Sequence, residues 1–400
     1  MAYKPLAKVR DTLRVEWYRC PIPGAQLRAL SRRSDLQGWF QTLGHLVLFA
    51  GTGVLAAYLF VQQQWIGFAC ALFAHGTVTS FLGLAVHELG HGTVFRTKWL
   101  NKFFLRVYSL LAWHNFHDYA MSHTYHHRYT LHPEGDREVT LPKNPSLNVF
   151  YLLQLLTFNV TGGFESHGLI PILKKHVMTA LGIFPGADAV NEAQTSSVFG
   201  EEWMEALYAD CPEERKKAIH WSRLILLFHG GMIVLGGLLN FWLFPVLTTF
   251  SFFMANFWRY IVAVPMHCGL RDNVPDFRQC VRTITLDPLS TFLYWRMNWH
   301  TEHHMYAGVP CYRLKKLHQE IASDMPKPRT LIGAWREMRA IWRQQKIDPT
   351  YQFDTPLPAS AGRVVSGDME GLDASIGDLA PEILASQSDG GVNGDPQNAH

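Results

Sequence analysis

Two long stretches without charged side chains dominate the pattern of hydrophobic and polar positions. The first covers residues 36–87, between Asp35 and Glu88, and it is rich in Leu, Val, Phe and Ala. A helix needs about 20 apolar residues to cross a bilayer, so this stretch is long enough for two crossings. The polar residues at Gln62–Trp65, which end on an interfacial aromatic side chain, predict the turn between them.

The second stretch runs from Leu224 to Trp258 and is bounded by Arg223 and Arg259. It is short for two crossings by itself, but its apolar flanks lengthen it enough, with a turn near Pro245. The pattern therefore predicts four transmembrane helices, arranged as two hairpins. A pair of buried helices in a soluble protein is the alternative, although such core helices rarely run so far without a charge.

The segments outside the two stretches have a different pattern. Residues 147–184 mix leucine and isoleucine with Lys174 and Lys175, which is typical of helices that lie along a membrane surface. Residues 185–217 are polar and predict a loop with a short helix. From Pro358 onward the chain is acidic, rich in Gly and Ser, and lacks aromatic residues, which indicates a disordered tail.

Basic residues orient the hairpins. Residues 1–34 contain eight Lys or Arg against two acidic residues, and basic residues also follow each hairpin, whereas the hairpin tips have none. By the positive-inside rule, both termini and the middle segment lie in the cytosol. The expected domains are a cytosolic basic segment (1–37), a membrane domain (38–320), a cytosolic helical segment (321–357) and the disordered acidic tail (358–400).

Composition supports a membrane protein and excludes other classes. Charged residues make up 17% of the chain and hydrophobic residues 48%, whereas soluble domains carry about 25% charged residues. The formal charge of +3 is too small to indicate a nucleic-acid partner. The six cysteines have no paired spacing, so neither a disulfide framework nor a cysteine zinc site is expected.

Three histidine clusters are the main candidates for a functional site. We call them box 1 (His87–His91), box 2 (His123–His127) and box 3 (His300–His304). Their spacings of three and four residues place the rings of each box on one helix face. Two triplets of the form H-x-x-H-H arise together by chance in roughly one chain in a thousand. The boxes are therefore interpreted as short helical clusters of metal ligands.

The predicted topology allows the boxes to meet. Even numbers of crossings separate them, so all three can lie on one side of the membrane, in a cytosolic helical cap. Eight neutral imidazoles exceed the four ligands that one zinc ion takes. They suit two first-row metal ions with open positions, although imidazole alone does not identify the metal.

In this pattern the sequence resembles the membrane fatty acid desaturase superfamily, over roughly residues 40–320. It looks closest to a largely bacterial branch, through Gly92–Phe95 after box 1 and Trp295–Asn298 before box 3. The resemblance implies two iron ions held by eight or nine histidines, with dioxygen as co-substrate. Members often use an extra histidine upstream of box 3, and His267 has a matching place. The implied ligands are His87, His91, His123, His126, His127, His267, His300, His303 and His304.

The resemblance also implies the reaction and its partners. A saturated methylene is inert to acids, bases and nucleophiles, so a metal centre must supply the oxidant. The expected activity is desaturation of a fatty acyl or lipid substrate, in the bacterial inner membrane or the endoplasmic reticulum, with the site facing the cytosol. No His-Pro-Gly-Gly haem motif is present, so a separate electron donor is expected, either a cytochrome b5 type or a ferredoxin.

Three other functions stay open. A hydroxylase of a lipid, hydrocarbon or small amphiphile shares the first step of desaturation. Box 1 also has the pattern H-E-x-x-H, as in intramembrane zinc proteases, where Glu88 activates water. That interpretation gives the six histidines of boxes 2 and 3 no role. A metal transporter would need charged groups within the crossings, and residues 36–87 have none.

Several further side chains have two interpretations each. Glu88, Glu302 and Asp136 either orient a ligand imidazole or are ordinary polar residues. For His117, a role behind the ligands competes with a surface position. The histidines within the crossings, which are His45, His75 and His229, are expected to pack or to bond between helices rather than to bind metal.

Overall fold

The computed structural model describes residues 3–139, 147–162, 168–183 and 201–362 of the chain. The fold is mostly helical, with 65% of the described residues in helices. The predicted acidic tail beyond residue 362 and most of the predicted loop at 185–200 lie outside the described residues.

Nine helices are described before residue 184. They are α1 (Leu6–Thr12), α2 (Gly24–Leu30), α3 (Asp35–Val61), α4 (Trp65–Ser80), α5 (Leu82–Gly90), α6 (Lys98–Leu111), α7 (Phe116–Tyr129), α8 (Val149–Leu156) and α9 (Leu169–Leu181).

The second half of the described chain continues with nine further helices and one small sheet. The helices are α10 (Glu201–Asp210), α11 (Pro212–Leu238), α12 (Leu243–Pro245), α13 (Phe257–Ala263), α14 (Phe277–Cys280), α15 (Pro288–Leu293), α16 (His300–Met305), α17 (Leu314–Ile321) and α18 (Leu331–Ile347). Strand β1 (Ile284–Thr285) pairs in parallel with β2 (Arg329–Thr330).

Within the described ranges, three helices are long and apolar enough to cross a membrane. They are α3, the nearly continuous pair α4–α5 over Trp65–Gly90, and α11. Many apolar side chains of α3 face outward, including Val47, Val54 and Tyr58, as expected for a helix in contact with lipid. The predicted turn between the first two crossings is confirmed, because α3 ends at Val61 and Gln63 adopts a left-handed φ of 57°.

The fourth predicted crossing is not one regular helix. After α12 the chain forms a π-helix (Val246–Phe250) and a 3-10 helix (Ser251–Phe253). It then breaks at Ala255, whose φ is 49°. The turn before this segment falls at residues 239–242 rather than near Pro245. A proline and a π-turn both weaken a regular helix ladder, which accounts for the irregular path.

Neighbouring backbone satisfies the polar groups freed at this break. The amide of Ala255 donates to the carbonyl of Thr157 at 3.1 Å, and the amide of Asn159 donates to the carbonyl of Phe253 at 2.7 Å. Non-helical backbone is tolerated at membrane depth when protein groups replace the missing hydrogen bonds. The segment after α8 therefore supports the broken helix.

The helices of the region predicted to lie on the membrane surface are short. Helices α8 and α9 expose apolar side chains such as Phe150, Leu153, Ile170 and Leu181. This one-sided exposure is typical of interfacial helices. The short helix predicted within 185–217 corresponds to α10, and α11 begins earlier than the predicted crossing, at Pro212.

Buried histidines join the long helices. His75 on α4 contacts the carbonyl of Leu247 at 2.8 Å and the hydroxyl of Thr52 at 2.9 Å. His229 contacts the carbonyl of Leu110 at 2.9 Å, and His45 contacts that of Val78 at 3.1 Å. The expectation that these three histidines bond between helices is therefore confirmed.

Candidate metal centre

Box 1 lies at the carboxyl-terminal end of the second long helix. Helix α5 buries Leu82, Val86 and Leu89 in the core, and the adjacent face of the helix points toward boxes 2 and 3. His87 and His91 lie one turn apart on that face, and both are buried. Gly92, with a φ of 64°, ends the helix in a left-handed conformation that favours glycine.

Box 2 occupies the carboxyl-terminal half of α7. The side chain of Asn115 caps this helix, because its Oδ1 accepts hydrogen bonds from the amides of His117 and Asp118. Such a cap satisfies amides that have no partner within the helix. The three histidines of the box are all buried.

Box 3 forms the first five of the six residues of α16, and an unusual backbone positions it. Trp295 and Arg296 both adopt positive φ, at 51° and 60°. Non-glycine residues pay an energetic cost in this region, so their surroundings must hold them there. The indole of Trp295 donates to Nδ1 of His45 at 2.9 Å, and Asn298 exchanges hydrogen bonds with Ile284. These contacts anchor the residues that precede the box.

His267 follows a 3-10 turn at Val264–Met266. Its Nδ1 lies 3.1 Å from the carbonyl of Cys280, to which it donates. The buried guanidinium of Arg282 donates to the carbonyls of Pro265 and Cys268, one on each side of the histidine. The ring orientation of His267 is therefore determined by hydrogen bonds on both its side chain and its backbone.

The structure brings all nine predicted histidines together in two buried groups. Within each group the candidate ligand nitrogens lie within 4.8 Å of one another. We call them group A (His87, His91, His123, His127 and His303) and group B (His126, His267, His300 and His304). Each group combines histidines from different boxes, so neither could form without the tertiary fold.

The nitrogen positions in group B fit a metal ion. Nε2 of His300 lies 3.0 Å from Nε2 of His267 and 3.2 Å from Nε2 of His304. Two nitrogens at right angles around an ion, each about 2.1 Å from it, are separated by about 3.0 Å. Because His267 and His304 each donate through Nδ1, their Nε2 atoms carry lone pairs. A cation between converging lone pairs removes their repulsion.

Group A also contains buried nitrogens that a cation would stabilise. Nε2 of His87 and both ring nitrogens of His91 and His303 are buried without a hydrogen-bond partner in the described part of the chain. Nε2 of His123 lies 3.0 Å from Nε2 of His127. A buried polar atom without a partner is costly, and metal coordination would satisfy one nitrogen of each of these three rings. The donor set of both groups thus fits a pair of metal ions.

Carboxylates behind the rings fix the tautomer of several histidines. Nδ1 of His126 lies 2.9 Å from Oδ2 of Asp136, and Nδ1 of His123 lies 3.0 Å from Oε1 of Glu138. Such partners leave Nε2 free for a metal and increase its basicity. Asp136 therefore has the orienting role that was one of its two interpretations. The sequence did not predict a role for Glu138, because this residue lies 15 residues beyond His123 and belongs to no recognisable motif.

The two acids within the boxes differ in their contacts. Glu88 lies 3.1 Å from Nδ1 of His87, which fits an orienting role. Glu302 instead contacts Nδ1 of His318 at 2.6 Å and the hydroxyl of Thr283 at 2.6 Å. No bond joins Glu302 to a histidine of either group among the described residues. Its helix position points it away from the ligand nitrogens.

Burial keeps most of these imidazoles in the neutral form that binds metal. It lowers the pKa of His267 to about 3. The pKa values of five more histidines lie well below their ordinary value, chiefly through burial and then through neighbouring imidazoles: His123, His127, His300, His303 and His304. Metal ligation requires unprotonated imidazole, so these environments favour it.

His126 is the exception in group B. Burial lowers its pKa, but the charge and hydrogen bond of Asp136 and the charge of Glu138 outweigh burial and leave the pKa raised. Burial also raises the pKa of Glu138 to about 7. Without a metal ion, His126 is therefore the histidine of the two groups that holds a proton most readily.

His117 lies outside both groups. Its Nδ1 contacts Oε2 of Glu214 on α11 at 2.9 Å, and it is partly exposed. This contact links α7 to α11 and thereby steadies the helix of box 2. His117 therefore contacts Glu214 rather than lying directly behind a ligand.

These features define a class: a membrane protein with two adjacent, buried polyhistidine groups. The profile of the family "Fatty acid desaturase" matches residues 63–335. The chain belongs to this family and is an oxidoreductase. It is 22% identical over 330 residues to a protein named sn-1 oleoyl-lipid 12-desaturase from a Picosynechococcus strain, over 79% of this chain and 86% of that protein.

Proposed function

We propose that the chain is a membrane di-iron desaturase that introduces a double bond into a fatty acyl or lipid substrate. Two iron ions would be held by His87, His91, His123, His127 and His303 in group A and by His126, His267, His300 and His304 in group B. The observation that carries this proposal is the convergence of nine buried histidines with unpartnered or lone-pair nitrogens.

Bound iron would supply the redox chemistry by which dioxygen attacks an unactivated C–H bond. The residues of this chain do the rest. Three carboxylates each contact a ligand imidazole and hold it in one orientation: Asp136, Glu138 and Glu88. The ligand nitrogens therefore need little rearrangement to bind a metal ion. The apolar core around α5 and α16 excludes water, which protects a reactive oxidant.

Four crossings and a cytosolic cap are part of the proposal. The broken segment from Leu243 to Met266 would serve as the fourth crossing, since it returns the chain from the end of α11 to the side that holds the boxes. The excess of basic residues in 1–34 supports a cytosolic location of that side. The membrane would be a bacterial inner membrane or the endoplasmic reticulum.

Substrate and electron donor are proposed from the family and its relative. Lipid is the substrate class in the name of the matched desaturase, and an acyl chain can approach the cap from the bilayer. A separate cytochrome b5-type protein or ferredoxin would deliver the electrons. The domain limits at residues 37, 320 and 357 also stay predictions.

Hydroxylation of a lipid, hydrocarbon or small amphiphile is the second candidate, because it uses the same site and differs only in the fate of the substrate after the first hydrogen is removed. Two observations argue against the zinc-protease interpretation. His87 and His91 share group A with three histidines of boxes 2 and 3, and Nδ1 of His87 lies within hydrogen-bond distance of Glu88.

The test is expression of the chain in a host with simple acyl chains, together with candidate donors, followed by mass spectrometry of the lipids. We expect a product lighter by two hydrogens, with a double bond located by chemical derivatisation. A product heavier by one oxygen would assign hydroxylation instead. Well-loaded purified protein that contains zinc and no iron would contradict the proposal altogether.

A further inference from the structure

A cleft beside α18 combines an apolar wall with a row of cations, and it is separate from both histidine groups. Its volume is about 1370 Å³. The wall comes from α13, from the segment after β1 and from α18, through Trp258, Ile261, Leu286, Leu331, Trp335 and Trp342. Drug-sized ligands occupy about 300–1,000 Å³, so this cleft has room for a larger amphiphile.

The cations form one stripe along α18. Arg336, Arg339, Arg343 and Lys346 line the cleft, and their spacings of three and four residues place them on one helix face. All four are exposed. None of them forms an ion pair with a carboxylate in the ranges that the structure covers. The stripe is therefore a concentrated positive charge that has no ion-paired counter-charge among the described residues.

The acidic residue of the lining forms no ion pair with the stripe in the described part of the chain. Asp287 caps α15, where its Oδ1 accepts a hydrogen bond from the amide of Ser290 at 3.0 Å. On α18 itself, Glu337 is engaged by Arg282 at 2.9 Å and Arg329 at 3.0 Å. The acidic groups near the cleft thus already have partners.

The aromatic wall contains an unused hydrogen-bond donor. The indole of Trp258 donates to Ser290 and that of Trp335 donates to the carbonyl of Ile261, each at 2.9 Å. Trp342 is only 8% exposed, and its Nε1 has no partner among the residues described. A buried N–H without an acceptor is costly, so a ligand oxygen within the cleft would stabilise it.

Contacts with α3 place the cleft at the boundary of the membrane. Helix α15, which follows the cleft wall, is held against the start of α3 by a 3.0 Å hydrogen bond from Gln41 to the carbonyl of Phe292. Phe40 and Phe292 also pack edge to face. The start of a spanning helix lies at headgroup depth, and exposed Leu147 and Ile332 line the same cleft.

We propose that this cleft binds an anionic membrane phospholipid. The arginine stripe would pair with the phosphate and the net negative charge of the headgroup. The indoles and aliphatic side chains would cover the first part of an acyl chain, and Nε1 of Trp342 would donate to a headgroup or ester oxygen. A concave and mostly apolar wall is typical of small-molecule sites, which favours this occupant over an acidic protein. The site does not depend on the proposed reaction.

The test uses the full chain as it is isolated, in a detergent with a neutral sugar headgroup. Native mass spectrometry would measure binding of phosphatidylglycerol, phosphatidylcholine and glycerol phosphate. We expect the protein to prefer phosphatidylglycerol. The double variant Arg339→Gln/Arg343→Gln should weaken its binding about tenfold or more, because two charge-assisted contacts are lost. Trp342→Phe should weaken binding to a smaller extent.

The matched control is Lys315→Gln/Lys316→Gln, which removes the same charge from α17, away from the cleft. It should bind phosphatidylglycerol like the unaltered chain. Equal binding by the arginine variant and the unaltered chain would overturn the proposal. So would equal affinity for glycerol phosphate, since the apolar wall would then contribute nothing. Binding of polyglutamate without binding of phosphatidylglycerol would mean that the surface docks an acidic protein instead.

Discussion

Replacement of Asp136 by Asn tests whether the nine histidines form a metal centre with carboxylates behind it. Asp136 is almost fully buried and accepts four hydrogen bonds. Its Oδ2 accepts from Nδ1 of His126 at 2.9 Å and from the amide of Leu131 at 3.0 Å. Its Oδ1 accepts from the amides of Glu138 at 3.1 Å and Val139 at 3.4 Å.

Asparagine keeps the shape of this side chain but offers only one acceptor oxygen. In either orientation, its NH₂ group faces two N–H donors. The loss of such a partner costs about 10–100-fold in metal affinity, which corresponds to about 1.4–2.8 kcal/mol. Iron content after dialysis against graded chelator concentrations measures this change. The control is Glu134→Gln in the same turn, whose carboxylate lies near the surface.

Iron affinity of Asp136→Asn equal to that of the unaltered chain would refute the assignment of Asp136 as a positioning residue. An equal loss in Glu134→Gln would also refute it, because the effect would then belong to the turn rather than to the contact with His126.

The same variant has a distinctive pH dependence. Asp136 is a main reason why the pKa of His126 is raised. A proton on His126 competes with the metal, so affinity in the unaltered chain should fall as the pH decreases through that raised pKa. Without the Asp136 charge, the pKa of His126 falls and this decline should move to lower pH. A purely structural defect would lower affinity at every pH without moving the decline.

Two further predictions concern the ligands and the helix packing. His126→Ala or His303→Ala should abolish iron loading and activity while the protein still inserts into membranes, whereas His220→Ala, at an exposed position, should retain both. Iron analysis and lipid profiling check this, and full turnover in either ligand variant would contradict it. Gly76→Ala should destabilise the fold by about 1–3 kcal/mol, since the added Cβ would lie 2.8 Å from the carbonyl of Met254. Gly83→Ala meets nothing within 4 Å and should leave the unfolding midpoint in detergent unchanged or higher.

Local features of the molecule could be predicted from the sequence. The absence of charge over residues 36–87 predicted the first two long helices, because the cost of a charge in lipid acts on each residue separately. The turn at Gln62–Trp65 and the helical form of the three boxes were also predicted correctly. Spacings of three and four residues determine which side chains share a face of one helix, whatever the rest of the fold does.

The fourth crossing shows where local patterns fail. Residues 243–266 are largely apolar, like the other crossings, yet the helix breaks at Ala255. The break is possible because Thr157 and Asn159, about 100 residues earlier, replace its missing hydrogen bonds. An apolar pattern carries no information about a distant partner.

The sequence by itself determined the number and type of the candidate ligands, because imidazoles clustered at helical spacing rarely arise by chance and are good ligands for first-row metals. Only the tertiary structure decided that His126 belongs to group B, while the adjacent His127 belongs to group A. Neighbouring residues on a helix point about 100° apart, so they enter different groups once helices from distant parts of the chain pack around them. The same long-range packing placed Glu138 beside His123 and formed the cleft beside α18.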